Sequence, residues 1–377
     1  MLSLGEEKIF FASRVLIFKI RGFLAEKFFS RRNILRTKGD YMATDFAKFK
    51  EDGNKKIVLI FTPSHGNLGD SAITLGELEF FKERFKDYSV YEFTKNETLF
   101  YKNQIKDHIT DEDIIAFHGG GFLGSIWKAD NNYFLKIIKL FSDNKIVVMP
   151  QTIYFYEDDD KLKESFVIGT SLCRDLTILC RDYQSYQTLK DLKVRCKFEY
   201  VPDIALYCQP NLNLERNNKI LLCFRSDREK VSRHSGIMRL LHDLEIKFDR
   251  TDMVIPRIIT KKGRYSTVMK KFEQFARYRM VITDRLHAMI FSTITNTPCI
   301  AFDNVSKKVS GVHEWIKDLD YIQIAKGDLT EEMLSKIFNS QHDKAYTSAM
   351  LKSEFDKIEK ILRGGGSRHS HNFKSAN

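Results

Sequence analysis

Two short segments far apart in the chain carry residue types suited to anions: Ser64-His65-Gly66-Asn67-Leu68-Gly69-Asp70 and Thr283-Asp284-Arg285-Leu286-His287-Ala288. Each follows an apolar run and opens a helix-like one. Polar side chains and the unpaired N–H groups of a helix start therefore gather at the carboxyl ends of two strands, where open α/β sheets receive phosphate-bearing ligands. A third segment repeats the pattern, with Ile114 to Phe117 leading into His118-Gly119-Gly120-Gly121-Phe122-Leu123-Gly124. Three consecutive glycines leave backbone N–H groups uncovered, so this turn can form an anion nest or let a sugar lie against the chain. Neither glycine segment is a Walker A lysine loop, and the GxGxxG spacing of a dinucleotide site is absent.

The elements that must position these residues alternate regularly. Ile57 to Phe61 leaves no room for a polar face and reads as a buried parallel strand, with Asp70-Ser71 expected to cap a helix running to Phe81. Further strands are expected at 114–117, 145–149, 176–180, 219–224, 280–283, 299–302 and 321–324, with helices between them. Residues 203–218 carry Pro210 and little periodicity and suit a linker. The pattern predicts an α/β protein of two doubly wound, Rossmann-like domains facing a cleft. The domain division is a helical N-terminal segment 1–45, a first domain 46–205, a linker 206–218, a second domain 219–345, a C-terminal helix 346–363 and a disordered tail 364–377.

The 377 residues carry a formal charge of +11, unevenly placed. Residues 1–40 hold nine Lys/Arg against four Asp/Glu, and residues 250–279 hold nine against two, so phosphate-bearing partners are expected. The Phe-, Ile- and Leu-rich stretch 9–29 is interrupted by charge and fits neither a bilayer span nor a signal peptide. It either docks on a membrane surface or packs as a helix on the protein's own body. The six cysteines lack metal-ligand spacing and read as small core residues of a cytoplasmic, reducing environment. No RNA-binding signature accompanies the basic surface, and no nucleic-acid partner is expected.

The turn at Asn67 to Asp70, the run Gly119 to Gly121, Pro150-Gln151-Thr152, Cys180-Arg181-Asp182 with Ser185, Val201-Pro202-Asp203 and Asp284-Arg285-Leu286-His287-Ala288 stand in one order along the chain. Together they resemble the signature of the polysaccharide pyruvyl transferases, over roughly residues 55 to 305. The resemblance implies a fold similar to glycosyltransferase-B enzymes, with the acceptor on the first domain and the donor on the second. It implies transfer of the enolpyruvyl unit of phosphoenolpyruvate onto two hydroxyls of a cell-surface sugar, giving a pyruvate ketal. It further implies that Arg181, Arg285, Leu286 and His287 contact phosphoenolpyruvate, with Arg225 expected to face the same cleft.

The chemistry asks for such residues. Arginine holds a carboxylate or phosphate through paired charge-assisted hydrogen bonds. A group titrating near neutrality suits protonation of the enol methylene or removal of a hydroxyl proton, and His287 is the first candidate. Asp70 is the candidate for orienting the acceptor hydroxyl, with Asn67, Gly69, His118, Gly119, Gly120 and Gly121 shaping the acceptor loops. Arginines and helix N-termini can stabilise departing phosphate, so neither metal nor cofactor is expected and phosphoenolpyruvate enters as co-substrate. The acceptor is read as a sugar, with a lipid-linked oligosaccharide at the inner membrane face as one form of it. Structural roles compete at each position: Asp70 as a helix cap, Arg285 and His287 as partners of buried carbonyls, Arg181-Asp182 as a local ion pair, the glycines as a tight connection. A nucleotide-sugar glycosyltransferase on the same frame and a non-catalytic binder of anionic partners are the other function classes in play.

Overall fold

The computed structural model describes residues 42–225, 234–303, 307–338 and 344–364. The readings of segment 9–29 and of the tail beyond Gly364 fall outside the described residues. Residues up to Asn54 form one unit, whose described helix is α1 (Met42–Glu51), and residues from Lys55 onward form a second that holds both sheets.

The first sheet comprises β1 (Lys56–Thr62), β2 (Ser89–Thr94), β3 (Ile114–Phe117), β4 (Gly120–Gly124), β5 (Lys145–Tyr154), β6 (Asp175–Cys180) and β7 (Lys197–Tyr200). Between them run α2 (Leu68–Arg84), α3 (Lys95–Asp107), α4 (Lys128–Leu140), α5 (Asp160–Ser171) and α6 (Tyr183–Asp191). The order is β2-β1-β3-β5-β6-β7, with β4 beside the far half of β5, and every pairing is parallel. The second sheet comprises β8 (Ile220–Cys223), β9 (Phe248–Thr251), β10 (Met280–Thr283), β11 (Cys299–Phe302) and β12 (Ile322–Ala325), in the all-parallel order β12-β11-β10-β8-β9. Its helices are α7 (His234–Asp243), α8 (Lys261–Ala276), α9 (Leu286–Ile294), α10 (Lys308–His313) and α11 (Glu331–Phe338), and α12 (Lys352–Leu362) closes the described chain.

The expected fold class is the one observed, and apolar runs explain it. All seven residues of β1 are buried, as are all four of β3, β8, β10 and β11, which only sheets covered on both faces accommodate. One apolar cluster joins Leu59 and Phe80 of the first sheet's side to Leu221 and Phe272 of the second's. In each sheet the winding reverses beside the first strand, between β1 and β3 and between β8 and β10. Crevices open at such switch points, and the segments after β1, β3, β8 and β10 are the ones singled out by their chemistry.

Three local expectations need correction. Helix α2 begins at Leu68, capped by Asn67, whose side chain accepts from the Gly69 N–H at 3.0 Å; Asp70 lies inside the first turn. The glycine run is a strand in part: β5 extends through Pro150-Gln151-Thr152, and Gly120–Gly124 pairs along that extension as β4. Ile204–Tyr207, read as connector, is a buried 3-10 turn.

Interlocking contacts join the two sheets. Met253 O accepts from Leu68 N at 2.8 Å, Gly66 O from Ile255 N at 2.9 Å and Ser64 O from Ile259 N at 2.9 Å. Buried Arg264 of α8 pairs with Glu92 at 2.8 Å, and Lys261 with Glu97 at 2.9 Å. Burial pushes the Glu92 carboxyl up, but Arg264 and Lys261 bring it below its ordinary value. From α12, Asp356 meets Arg84 of α2 at 2.6 Å. Among the described residues no helix is long and apolar enough to cross a membrane.

Candidate active site

The carboxyl edges of both sheets converge on the Asp203 carboxylate, which is fully buried. Arg181, directly after β6, donates from Nη1 to Asp203 Oδ2 at 2.7 Å and from Nε to Thr152 Oγ1 at 2.8 Å. Thr152 donates a hydrogen bond from its own hydroxyl to Asp182 Oδ2 at 2.7 Å, and Asp182 caps α6 by accepting from Ser185 N at 2.8 Å. Arg181 therefore pairs with Asp203, 22 residues on, and its neighbour Asp182 serves the helix. From the second sheet, His287 brings Nε2 to 3.6 Å from the same Asp203 oxygen. Burial pushes the Asp203 carboxyl up, but the Arg181 charge, with His287 and the Ala205 N–H, holds it down at about 2. An ionised carboxylate in this position fixes the guanidinium and faces the imidazole.

Two glycines explain how the groups come so close. A Cβ on Gly69 would stand 2.3 Å from His287 Nδ1, so only glycine in the first turn of α2 admits the ring. A Cβ on Gly121 would stand 3.2 Å from Arg181 Nη2, so the β4 backbone lies against the guanidinium; Gly120 before it has φ 128°, a conformation glycine favours.

The remaining predicted residues distribute around this centre. Arg285 occupies the cap position of α9 without a side-chain capping bond and pairs through Nη2 with Asp252 Oδ1 at 2.6 Å. Its neighbour Asp284 accepts from the Arg225 backbone N–H at 2.8 Å, which ties the ends of β8 and β10. Leu286 is buried in the core, two residues before Ala288. Asp70 is partly exposed, 3.7 Å from His65 Nε2. His118 is buried with Nδ1 2.8 Å from Glu77 Oε2, while Glu77 Oε1 accepts from Gly119 N at 2.8 Å. The structure thus joins Arg181, His287, Gly69 and Gly121 around one carboxylate, and gives Arg285 a different one.

Sequence reasoning missed three participants. Asp203 is named in the sequence pattern only as the end of the Val201-Pro202-Asp203 run, at the start of the stretch that suits a linker, and Glu77 and Lys271 are not singled out there at all. Lys271 is buried near Arg285 and Asp252, and burial lowers its ammonium below the ordinary lysine value. Val201-Pro202-Asp203 after a strand was the available signal for Asp203. Among the described residues, several buried polar atoms also lack a hydrogen-bond partner: His287 Nε2, His118 Nε2, Ser71 Oγ and both polar atoms of the Gln151 amide. Each such atom costs about 1–3 kcal/mol unless a ligand or solvent meets it. Another hollow, lined by Lys219, His242 and Phe248, lies at the opposite, amino-terminal edge of the second sheet, away from these groups.

Two doubly wound sheets, with an arginine, a histidine and a carboxylate gathered where their carboxyl edges meet, define a two-sheet α/β protein with a polar centre between the sheets. The sequence pattern of the family described as polysaccharide pyruvyl transferase matches residues 67–306, and the chain belongs to that family of transferases. It is 31% identical over 288 residues to General stress protein 30 of Bacillus subtilis, covering 74% of this chain and 83% of that one. It is 26% identical over 289 residues to Pyruvyl transferase 1 of Schizosaccharomyces pombe, covering 70% of each. Among solved structures, an uncharacterized protein of Klebsiella pneumoniae shares the fold at a TM-score of 0.52 and 19% identity, over 76% of this chain and 98% of that one.

Proposed function

We propose that this protein transfers the enolpyruvyl unit of phosphoenolpyruvate to two hydroxyls of a cell-surface sugar, forming a pyruvate ketal and releasing phosphate. The observation that carries the reading is the convergence of Arg181 and His287, one from each sheet, on Asp203 Oδ2 at 2.7 and 3.6 Å. The Schizosaccharomyces pombe relative bears the name of a pyruvyl transferase, which supports it.

Phosphoenolpyruvate carries a carboxylate and a phosphate. Arg181, whose Nη2 faces the β4 backbone, and Arg285, at the start of α9, grip the two ends, and the N-terminus of α9 adds its N–H groups. His287 gives a proton to the terminal methylene, and the central carbon becomes oxocarbenium-like. One sugar hydroxyl attacks that carbon and loses its proton. The C–O bond to phosphate then breaks, the arginines stabilise the departing phosphate, and the second hydroxyl closes the ketal with loss of its own proton. Asp203 keeps the ring and Arg181 in register, and Asp70, at the start of α2, orients the acceptor hydroxyl. No metal or cofactor is assigned a step. The acceptor is a lipid-linked oligosaccharide met at the cytoplasmic face of the membrane.

Calorimetric titration with phosphoenolpyruvate, beside the Arg285→Ala variant and a panel of nucleotide sugars, tests the reading. Binding is expected for phosphoenolpyruvate and is lost in the variant. Silence with phosphoenolpyruvate and heat with a nucleotide sugar would make the protein a glycosyltransferase.

A further inference from the structure

Beside the cleft, residues 253–272 form the most one-sidedly basic stretch of the second sheet's side. They hold Arg257, Lys261, Lys262, Arg264, Lys270 and Lys271 and no acidic residue. Three of these cations are already committed: Arg264 and Lys261 pair with Glu92 and Glu97, and Lys271 is buried against Gln274. Arg257, Lys262 and Lys270 remain exposed. The same stretch exposes three large apolar side chains, Val254 at 45%, Ile258 at 47% and Tyr265 at 58%.

Their exposure is built into the fold. The loop from Met253 to Ile259 is pinned to the first sheet by the backbone bonds at Leu68, Gly66 and Ser64 and by the bridge between Asn67 and Val254. In α8, Arg264, Val268, Lys271, Phe272 and Phe275 are buried at helical spacing. Lys262, Tyr265, Ser266 and Lys270 therefore share the outward face. A rigid surface offering two aliphatic side chains and a tyrosine among lysines and an arginine suits the boundary between lipid headgroups and acyl chains. A soluble polyanion would use the cations and leave the aliphatic residues without a role.

We propose that the loop 253–260 and the outer face of α8 dock on an anionic lipid bilayer. Val254 lies two residues from Asp252, the partner of Arg285, so docking sets the mouth of the cleft at the headgroup plane. The proposal holds whatever reaction the site performs, and its failure leaves the pyruvyl transfer reading standing.

Sedimentation of the full chain with vesicles of phosphatidylcholine, with and without phosphatidylglycerol, tests it. Wild type is expected to bind the mixed vesicles and to leave those of phosphatidylcholine alone. Combining Arg257→Gln, Lys262→Gln and Lys270→Gln lowers vesicle affinity on the order of a hundredfold, taking about fivefold per cation at the surface. Combining Val254→Ser, Ile258→Ser and Tyr265→Ser weakens it about tenfold or more. The thermal transition and phosphoenolpyruvate titration are expected to match wild type in both variants, which separates lost docking from lost folding. Three results overturn the proposal. Wild type does not bind mixed vesicles; both variants bind as wild type does, which moves the contact to the basic segment 1–40; or only the charge variant loses affinity, which makes the surface a polyanion site.

Discussion

Two buried carboxylates in this molecule each face a histidine, and they do different work. Asp203 answers to a guanidinium at 2.7 Å and an imidazole at 3.6 Å drawn from opposite sheets. Glu77 answers to His118 at 2.8 Å and to the Gly119 N–H at 2.8 Å, both from the loop after β3. In the first, the fixed charge of Arg181 keeps the carboxylate ionised, and the histidine stands off at more than hydrogen-bond distance. In the second, the histidine is bonded directly and the carboxylate also grips a backbone. The contrast separates a carboxylate that draws groups from both sheets from one that clamps a single loop.

The largest effect belongs to Asp203. Asp203→Asn keeps the shape but removes the charge between Arg181 and His287; turnover is expected to fall on the order of a thousandfold and stability by about 3–5 kcal/mol, read by initial rates and urea denaturation. The pH dependence has a definite sign. The Asp203 carboxyl is lowered from 3.8 to about 2, so its stabilisation is complete above 3.8 and is lost as pH falls toward 2. Wild type should lose on the order of 2 kcal/mol across that window, and the Asn variant should lack this slope. Equal slopes would mean that Asp203 is not the group held down.

His287→Ala comes next. Turnover should drop about 10²- to 10⁴-fold, as loss of a general acid or base does. The fold should survive, because truncation leaves Asp203 its bond to Arg181. Wild-type turnover would remove His287 from the chemistry. Arg285→Lys is smaller: a point charge replaces a planar fork, and phosphoenolpyruvate affinity should weaken about tenfold. Unchanged affinity in a titration would argue against a bidentate grip.

The contrast also marks what the sequence could convey. Strands such as Ile57 to Phe61 and Met280 to Thr283 were legible because an unbroken apolar run admits no solvent face. The start of α2 was not, since Asn67 and Asp70 both cap well and the choice was made by the bridge from Asn67 to Val254, far away in sequence. Strand β4 was hidden because glycines ordinarily weaken strands, and only the extension of β5 gives them a partner. Arg181 and His287 were visible as types in a pattern, whereas the residue that joins them was not. Asp203 sits after a short edge strand in a stretch that reads as connector, and nothing local announces a histidine 84 positions on. Glu77 was concealed by the opposite fault, since an acid within a helix ordinarily faces water and this one faces the loop after β3.

Glu77→Gln sharpens the comparison at its small end. The amide oxygen can still accept from Gly119 N, so the loop keeps one of its two ties. The amide nitrogen must then donate to His118 Nδ1, which obliges the imidazole to carry its proton on Nε2. That nitrogen is buried and has no partner among the described residues. The exchange should cost about 1 kcal/mol in urea denaturation. If Glu77 only shapes the loop, turnover should stay within about threefold of wild type, with the shift in acceptor KM and not in kcat. A loss of kcat comparable to that of His287→Ala would place His118 among the groups that move protons, and the two histidine–carboxylate pairs would then share the chemistry.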